Sequence, residues 1–123
     1  MSAAAAGRAS IHTCPPFGSA SREFLYVDDA ANGIVLGAQY YEGAEPVNLG
    51  VGHEITIREL VELIVRLTGF GGEIRWDPTK PDGQPRRGLD TSRARDAFGF
   101  VARTSFENGL RRTIDWSEEH RAG

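Results

Sequence analysis

A chain of 123 residues that is 40% hydrophobic and 25% charged is long enough for one small soluble domain and hardly for two. It has no run of about 18 apolar residues, which argues against a membrane-spanning helix. A net charge of −3 and a pI near 5.6 argue against a nucleic-acid-binding protein. The single cysteine, Cys14, excludes an internal disulfide and fits a reducing compartment, so we expect a cytoplasmic protein.

The first 21 residues differ in composition from the rest of the chain. They are rich in Ala, Ser, Gly and Pro and show no apolar period, which predicts a loop or flexible tail over 1–21. They also lack the long apolar stretch of a signal peptide. We expect one domain over 22–119 and a short tail over 120–123.

The first half of the predicted domain alternates strand and helix. Aromatic and β-branched residues predict a strand over 22–27, and Asp28 or Asp29 is expected to cap a helix that reaches residue 40. A short buried strand is predicted at 46–49. Thr56 then begins a capping box in "TIRE". The helix behind it carries an apolar stripe at Ile57, Leu60, Val61, Ile64 and Leu67.

The second half continues the alternation. Gly69 is expected to end the second helix, and a third strand is predicted over 73–76. Asp90, Thr91 or Ser92 is expected to cap a short helix that ends at Gly99. A second capping box, Thr104 to Glu107, begins a helix that runs to about residue 119, with Phe106, Leu110, Ile114 and Trp116 facing inward. The prediction is a small three-stranded α/β domain.

No catalytic or metal-binding group emerges from the sequence. The "GVG" at 50–52 is not a dinucleotide fingerprint, because Ile55 stands where Gly or Ala is required, so a tight turn is favoured. The three histidines have no helical ligand spacing. A Tyr-x-x-x-Lys pair is excluded, because the only lysine, Lys80, follows Trp76 by four residues.

The strongest functional signal is the loop "WDPTKPDGQPRRGLDTSR" at 76–93. A Pro-Asp-Gly turn and a second proline stiffen it, which lowers the entropy lost on binding. Arg86 and Arg87 follow, and guanidinium groups match phosphate oxygens bidentately. Arg22 is a second cation that could complete an anion cradle with Arg87. The alternative is a surface turn with solvated charges.

Four segments together resemble a known family: "SREFLYVDDAA", "VNLGVGHEITIRELVELI", "TGFGGEIRWDPTKPDGQPRRGLDTSRARDAFGF" and "TSFENGLRRTIDW". They are similar to the C-terminal portion of GDP-L-fucose synthase, an extended short-chain dehydrogenase of the NAD-dependent epimerase/dehydratase type. The "KPDGxPRRxLD" pattern is close to this branch, although Gly88 replaces an apolar residue.

The resemblance implies a nucleotide-sugar site. The family epimerises and reduces GDP-4-keto-6-deoxymannose with NADPH, and its C-terminal portion holds the nucleotide-diphosphate sugar. By resemblance Arg22, Asp82 and Arg87 are substrate contacts. Phe17 takes the place of a family tryptophan and can stack but cannot donate an N–H hydrogen bond.

The cofactor half of that family is not matched. We therefore expect no catalytic residue and no bound cofactor in this chain, NADP(H) being held by the Rossmann half in the family. The chain is either an inactive substrate-binding domain, a subunit that completes an enzyme with a separate cofactor-binding chain, or a non-catalytic interaction or remnant module. Apolar residues at Phe24, Tyr26, Val47 and Leu49 are expected to lie open, which favours a homo-oligomer or a Rossmann-domain partner.

Overall fold

The computed structural model describes residues 10–13, 18–77 and 85–121. The elements within these residues follow in chain order: β1 Ser10–Thr13, β2 Ser21–Arg22, α1 Val27–Tyr40, β3 Ile55–Thr56, α2 Ile57–Thr68, β4 Glu73–Trp76, β5 Arg86–Arg87, α3 Ser92–Phe98 and α4 Phe106–Glu119.

The strands form two small sheets. β1 pairs in parallel with β4, and a three-stranded mixed sheet has the order β3–β2–β5, with β2 antiparallel to β3 and parallel to β5. The predicted α/β class with a three-stranded sheet is confirmed. Its strands are not the predicted ones, since only residue 22 of the predicted strands lies in that sheet.

The prediction of a loop throughout residues 1–21 is wrong at β1. Ser10 lies opposite Glu73 and Thr13 opposite Trp76 in a parallel register. The segment "SIHT" has no strand-like alternation, so its structure depends on a partner more than sixty residues away. The division of the chain at residues 22 and 119 stays a prediction.

Two predicted strands are also wrong in extent. The ladder at residues 22–27 stops at Arg22, because its neighbour β3 has two residues and turns directly into α2. Residues 46–49 join neither sheet of the described chain. Both segments contain residues that favour strands, but the described part of the chain provides no further strand for them to pair with.

Helix α1 begins two residues earlier than predicted, at Val27, and no side chain caps it. The two aspartates expected as caps lie in its first turn, where negative charge favours the helix dipole. Asp29 is buried and its Oδ2 accepts a hydrogen bond from the backbone N–H of Thr104 at 2.9 Å. Asp29 thus ties α1 to the segment before α4.

Helix α2 has the ends that the sequence predicts. The Thr56 hydroxyl accepts from Glu59 N at 3.1 Å and the Glu59 carboxylate accepts from Thr56 N at 3.2 Å, which confirms the capping box. Gly69 ends the helix in the left-handed conformation, at φ 69°. Local capping chemistry therefore fixes both ends of α2.

Thr56→Ala is expected to lower the free energy of unfolding by about 1 kcal/mol, because the backbone N–H of Glu59 loses its side-chain acceptor. Urea unfolding measures this loss. Thr68→Ala is the control within α2: its hydroxyl donates to Ile64 O at 2.7 Å inside the last turn, and its removal should cost less than about 0.5 kcal/mol. Equal losses in the two variants would contradict the claim that the Thr56 cap stabilises the protein more than a hydroxyl inside the helix does.

Helix α3 has its cap position at Thr91 and its end at Gly99, as predicted, whereas α4 is capped by a residue other than the predicted one. The Asp90 carboxylate accepts from both Ser92 N at 2.9 Å and Ser92 Oγ at 2.7 Å, while Thr91 occupies the cap position without a side-chain bond. The capping box predicted at Thr104 is wrong: Ser105 is the cap, and its Oγ accepts from Asn108 N at 3.2 Å.

The core is small, and a glycine in α1 allows its close packing. Its buried apolar side chains, within the described residues, are Ala20, Val61, Ala94 and Phe100. Gly33 of α1 is buried, and a Cβ atom there would lie 2.9 Å from Phe100 Cε1 and 3.0 Å from Leu49 Cδ1. The missing side chain lets α1 pack closely against this core. On α4, Phe106, Leu110 and Ile114 are half-buried as predicted, but Trp116 is exposed.

Candidate functional site

Arg22 and Arg87 occupy the same register position on neighbouring parallel strands. β2 pairs with β5 so that Ser21 lies opposite Arg86 and Arg22 lies opposite Arg87. Side chains alternate between the faces of a strand, so Arg22 and Arg87 share one face and Ser21 and Arg86 share the other. The pairing of two strands that are sixty-five positions apart in the sequence thus places the two predicted cations opposite each other.

On the other face of these strands, the Glu54 carboxylate neutralises the charge of Arg86. Its carboxylate accepts from Ser21 Oγ at 2.7 Å and from Arg86 Nη2 at 2.6 Å. The hydrogen bonds from Arg86 and then from Ser21 hold the pKa of the Glu54 carboxyl below its ordinary value of 4.5, and Glu54 in turn raises the pKa of Arg86. Of the two adjacent arginines, Arg86 is therefore engaged in a structural ion pair.

The Glu54 cluster gives a pH-dependent stability. A carboxyl group whose pKa is lower in the folded protein stabilises it above the unfolded pKa, and that stabilisation is lost as the pH falls through the folded pKa. The Tm advantage of the native protein over Glu54→Gln should be full near about pH 6 and should shrink as the pH falls below 4.5 and through the lowered pKa of Glu54. Thermal unfolding across this range measures it, and Arg86→Ala should remove most of the same pH dependence. A constant Tm difference would contradict the ion pair.

A second carboxylate shapes the face that carries Arg22 and Arg87. Glu23 Oε1 accepts from Val51 N at 2.5 Å and Gly52 N at 3.0 Å, and Glu23 Oε2 accepts from Leu89 N at 2.9 Å. Gly50 passes so close to this carboxylate that a Cβ atom there would collide with it. Glu23 therefore joins the "GVG" turn to the segment after β5.

These contacts enclose a pocket of about 190 Å³. Both cations line it, together with Glu23, Leu25, Leu49, Gly50, Gly88 and Leu89. An anion bound between the two guanidinium groups would accept charge-assisted hydrogen bonds.

A second pocket of about 230 Å³ lies against α4 and lacks these features. It is lined by Phe24, Leu25, Tyr26, Val51, Leu60, Thr104, Ser105, Phe106, Gly109, Leu110 and Thr113. None of these side chains is charged, so the pocket offers no charge-assisted hydrogen bond from a side chain to a phosphate. The pocket with the two arginines is the better candidate for an anionic ligand.

Two predicted contacts cannot be located, because Phe17 and Asp82 lie outside the described residues. Sequence reasoning missed Glu23 and Glu54, which organise the two faces. Glu23 stands next to Arg22 in the quoted "REFL" segment, and this adjacency was the available signal. Nothing local marks Glu54, whose partner Arg86 is 32 positions away.

No protein-family profile matches the chain. The chain is 48% identical over 99 residues to GDP-L-fucose synthase 1 of Arabidopsis thaliana, a match that covers 80% of this chain and 30% of that protein. It therefore spans about 30% of the length of the curated relatives it matches.

Solved proteins that share this fold are also much longer than this chain. A GDP-L-fucose synthetase of Naegleria fowleri aligns with a TM-score of 0.80 and 26% identity, over 90% of this chain and 33% of that one. The enzyme WbmF of Bordetella bronchiseptica, in complex with NAD+ and UDP, aligns with a TM-score of 0.70 and 31% identity, over 87% of this chain and 31% of that one. This chain therefore contains part of an epimerase-type fold.

No helix in the described part of the chain has both the length and the apolar character needed to cross a membrane.

Proposed function

We propose that this chain, which is related to a portion of the GDP-L-fucose synthases in the extended short-chain dehydrogenase family, binds a nucleotide-diphosphate sugar through Arg22 and Arg87. The observation that carries the proposal is the register of β2 and β5, which sets these two cations side by side at one pocket. Guanidinium groups hold diphosphate oxygens in a bidentate manner, so the pair forms a cradle for the diphosphate.

The preferred ligand is a GDP-sugar of the 4-keto-6-deoxymannose type. The 48% identity to a GDP-L-fucose synthase supports this choice, and the UDP bound by the WbmF neighbour supports a nucleoside diphosphate in general. Asp82 and Phe17 remain predicted substrate contacts. The protein is proposed to act in the cytoplasm, where its single cysteine stays reduced.

The described residues do not fit the nicotinamide cofactor that family members use. A dinucleotide needs a glycine turn that opens directly into a helix N-terminus. Here the N–H groups of Val51 and Gly52 are bound by Glu23, and the N-terminus of α2 is closed by Thr56 and Glu59. We therefore propose that the chain alone supplies substrate binding and no redox chemistry.

Calorimetry and thermal shift with GDP-, UDP- and dTDP-sugars, each with and without NADPH, test the proposal. GDP-sugar at about one hundred times its Kd should stabilise the protein by about 2.7 kcal/mol, and NADPH alone should add nothing. Folded protein that releases no heat with millimolar GDP-sugar would overturn the proposed function and favour a remnant module.

A further inference from the structure

Glu23 is a carboxylate in a pocket that is proposed to bind an anion. It lines the pocket of about 190 Å³ together with Arg22 and Arg87. Its negative charge offsets one of the two arginine charges, and like charges side by side disfavour binding. The charge of Glu23 therefore opposes the proposed binding, so this residue must contribute to the site in another way.

Both oxygens of the Glu23 carboxylate accept hydrogen bonds from the backbone. Oε1 accepts from Val51 N at 2.5 Å and from Gly52 N at 3.0 Å, and Oε2 accepts from Leu89 N at 2.9 Å. Successive backbone N–H groups that point at one anion form a concave site of the kind that binds phosphates. In the "GVG" turn this site is filled by a side chain of the same molecule.

The "GVG" turn rests on the core. Leu49, which leads into the turn, packs against Gly33 of α1, and Gly50 is buried. Only Phe24 of the four apolar residues expected to lie open is exposed, at 38%; half-buried are Tyr26, Val47 and Leu49. The Oε1 side of the Glu23 carboxylate is therefore attached to a fixed part of the fold.

The Oε2 side holds the segment that carries Arg87. Strand β5 has only two residues, both of them exposed, and it lies at the edge of its sheet next to β2 alone. A ladder of two residues is shorter than an ordinary strand and gives few hydrogen bonds. Carboxylates hold this segment on either side of Arg87: Glu54 binds Arg86 at 2.6 Å, and Glu23 binds Leu89 N at 2.9 Å.

We infer that Glu23 is a positioning residue of the two-arginine cradle. It follows Arg22 directly in the sequence, and it ties Leu89, two residues after Arg87, to the "GVG" turn. One side chain thus links the backbone next to both arginines. Holding the cations in place before the ligand arrives lowers the entropy lost on binding. The inference rests on the proposed function, because it takes Arg22 and Arg87 as the diphosphate contacts.

Glu23→Gln separates this positioning from the charge, because the two effects have opposite signs. Removal of a negative charge alone would tighten the binding of an anion. A glutamine, however, has one carbonyl oxygen and one NH2 group, so it can accept from the turn or from Leu89 N but not from both. We expect calorimetry to show GDP-sugar affinity about 10-fold weaker. The control is Glu107→Gln, at an exposed ion pair on α4, which should change the affinity less than about twofold.

Gly50→Ala disturbs the same contacts and keeps every charge. A Cβ atom at position 50 would collide with Glu23 Oε1, so the carboxylate must leave the turn. The loss of GDP-sugar affinity should match that of Glu23→Gln. Gly71→Ala is the matched control, because a Cβ atom there would have no neighbour within 4 Å, and it should leave the affinity unchanged.

A double-mutant cycle with Arg87→Ala shows whether Glu23 acts through Arg87. In the Arg87→Ala protein, Glu23→Gln should leave GDP-sugar affinity unchanged or raise it, because only the loss of negative charge remains. A general weakening of the structure would lower the affinity by the same factor in both backgrounds. Amide exchange measured by NMR without ligand should also be faster at Leu89 in Glu23→Gln than in the native protein.

The results separate this inference from the proposed function. If the native protein binds GDP-sugar and Glu23→Gln binds it equally well or more tightly, the inference is overturned and the proposed function stands. The same factor of loss with and without Arg87 also overturns the inference. If Glu23→Gln does not fold, Gly50→Ala in the same two backgrounds decides. A native protein that binds no GDP-sugar overturns the proposed function, and the inference with it.

Discussion

Arg22→Ala and Arg87→Ala are each expected to weaken GDP-sugar binding by about 10- to 100-fold, and the double variant should show no measurable binding. The reason is the loss of charge-assisted hydrogen bonds to the diphosphate, each worth about 1.5–3 kcal/mol. Without ligand, Arg22→Ala should lower the stability slightly, because Arg22 Nη1 donates to Ser21 O at 2.6 Å. Calorimetry and urea unfolding measure the two effects.

The control is Arg111→Ala on α4, whose guanidinium pairs with Glu107 at the surface. The affinity of this variant for GDP-sugar should change less than about threefold, since exposed ion pairs contribute little to stability. Arg86→Ala is a closer comparison, because Arg86 neighbours Arg87 but faces Glu54. Equal loss of affinity in Arg86→Ala and Arg87→Ala would show that the net charge of the loop matters and not the cradle.

Gly18→Ala is expected to lower the free energy of unfolding by about 2–4 kcal/mol. Gly18 has φ 65°, a conformation that costs an ordinary residue about 1–2 kcal/mol. A Cβ atom there would also lie 2.6 Å from two ring atoms of Trp76 and 2.9 Å from Arg58 N, so the ring must move. Arg58 lies over the same ring at 4.6 Å, and the shift would disturb that contact too.

Gly99→Ala isolates the backbone component of this loss. Gly99 has φ 69°, nearly the same conformation, but a Cβ atom there would have no neighbour within 4 Å. Its variant should lose only about 1–2 kcal/mol, and the difference between the two variants measures the overlap with Trp76. Tm should fall by about 4–8 °C for each kcal/mol. Equal losses in both variants would contradict the close packing of Trp76.

Signals local in the sequence predicted the helices well. Thr56, Glu59 and Gly69 set the ends of α2 through contacts within a few residues of each other. The start of α1 and the cap of α4 were placed wrongly because several polar residues compete there. Asp29 bonds to Thr104 instead of capping its own helix, and Ser105 caps in place of Thr104.

The local pattern predicted β4 with its observed bounds, Glu73–Trp76, but the other strands depended on partners that a local pattern cannot show. β1 was missed because its ladder forms with β4, and the strand at 46–49 was predicted from composition without a partner in the described chain. The alternation of predicted strands and helices gave the α/β class, and the site followed in part. Arg22 and Arg87 were chosen as a pair from the sequence, but their adjacency arises from the β2–β5 register.

A crystal structure of the 123-residue chain with bound GDP would test the two-arginine cradle most directly. We predict diphosphate oxygens within about 2.7–2.9 Å of guanidinium nitrogens of both Arg22 and Arg87. Diphosphate held elsewhere on the molecule, with neither arginine in contact, would contradict the account.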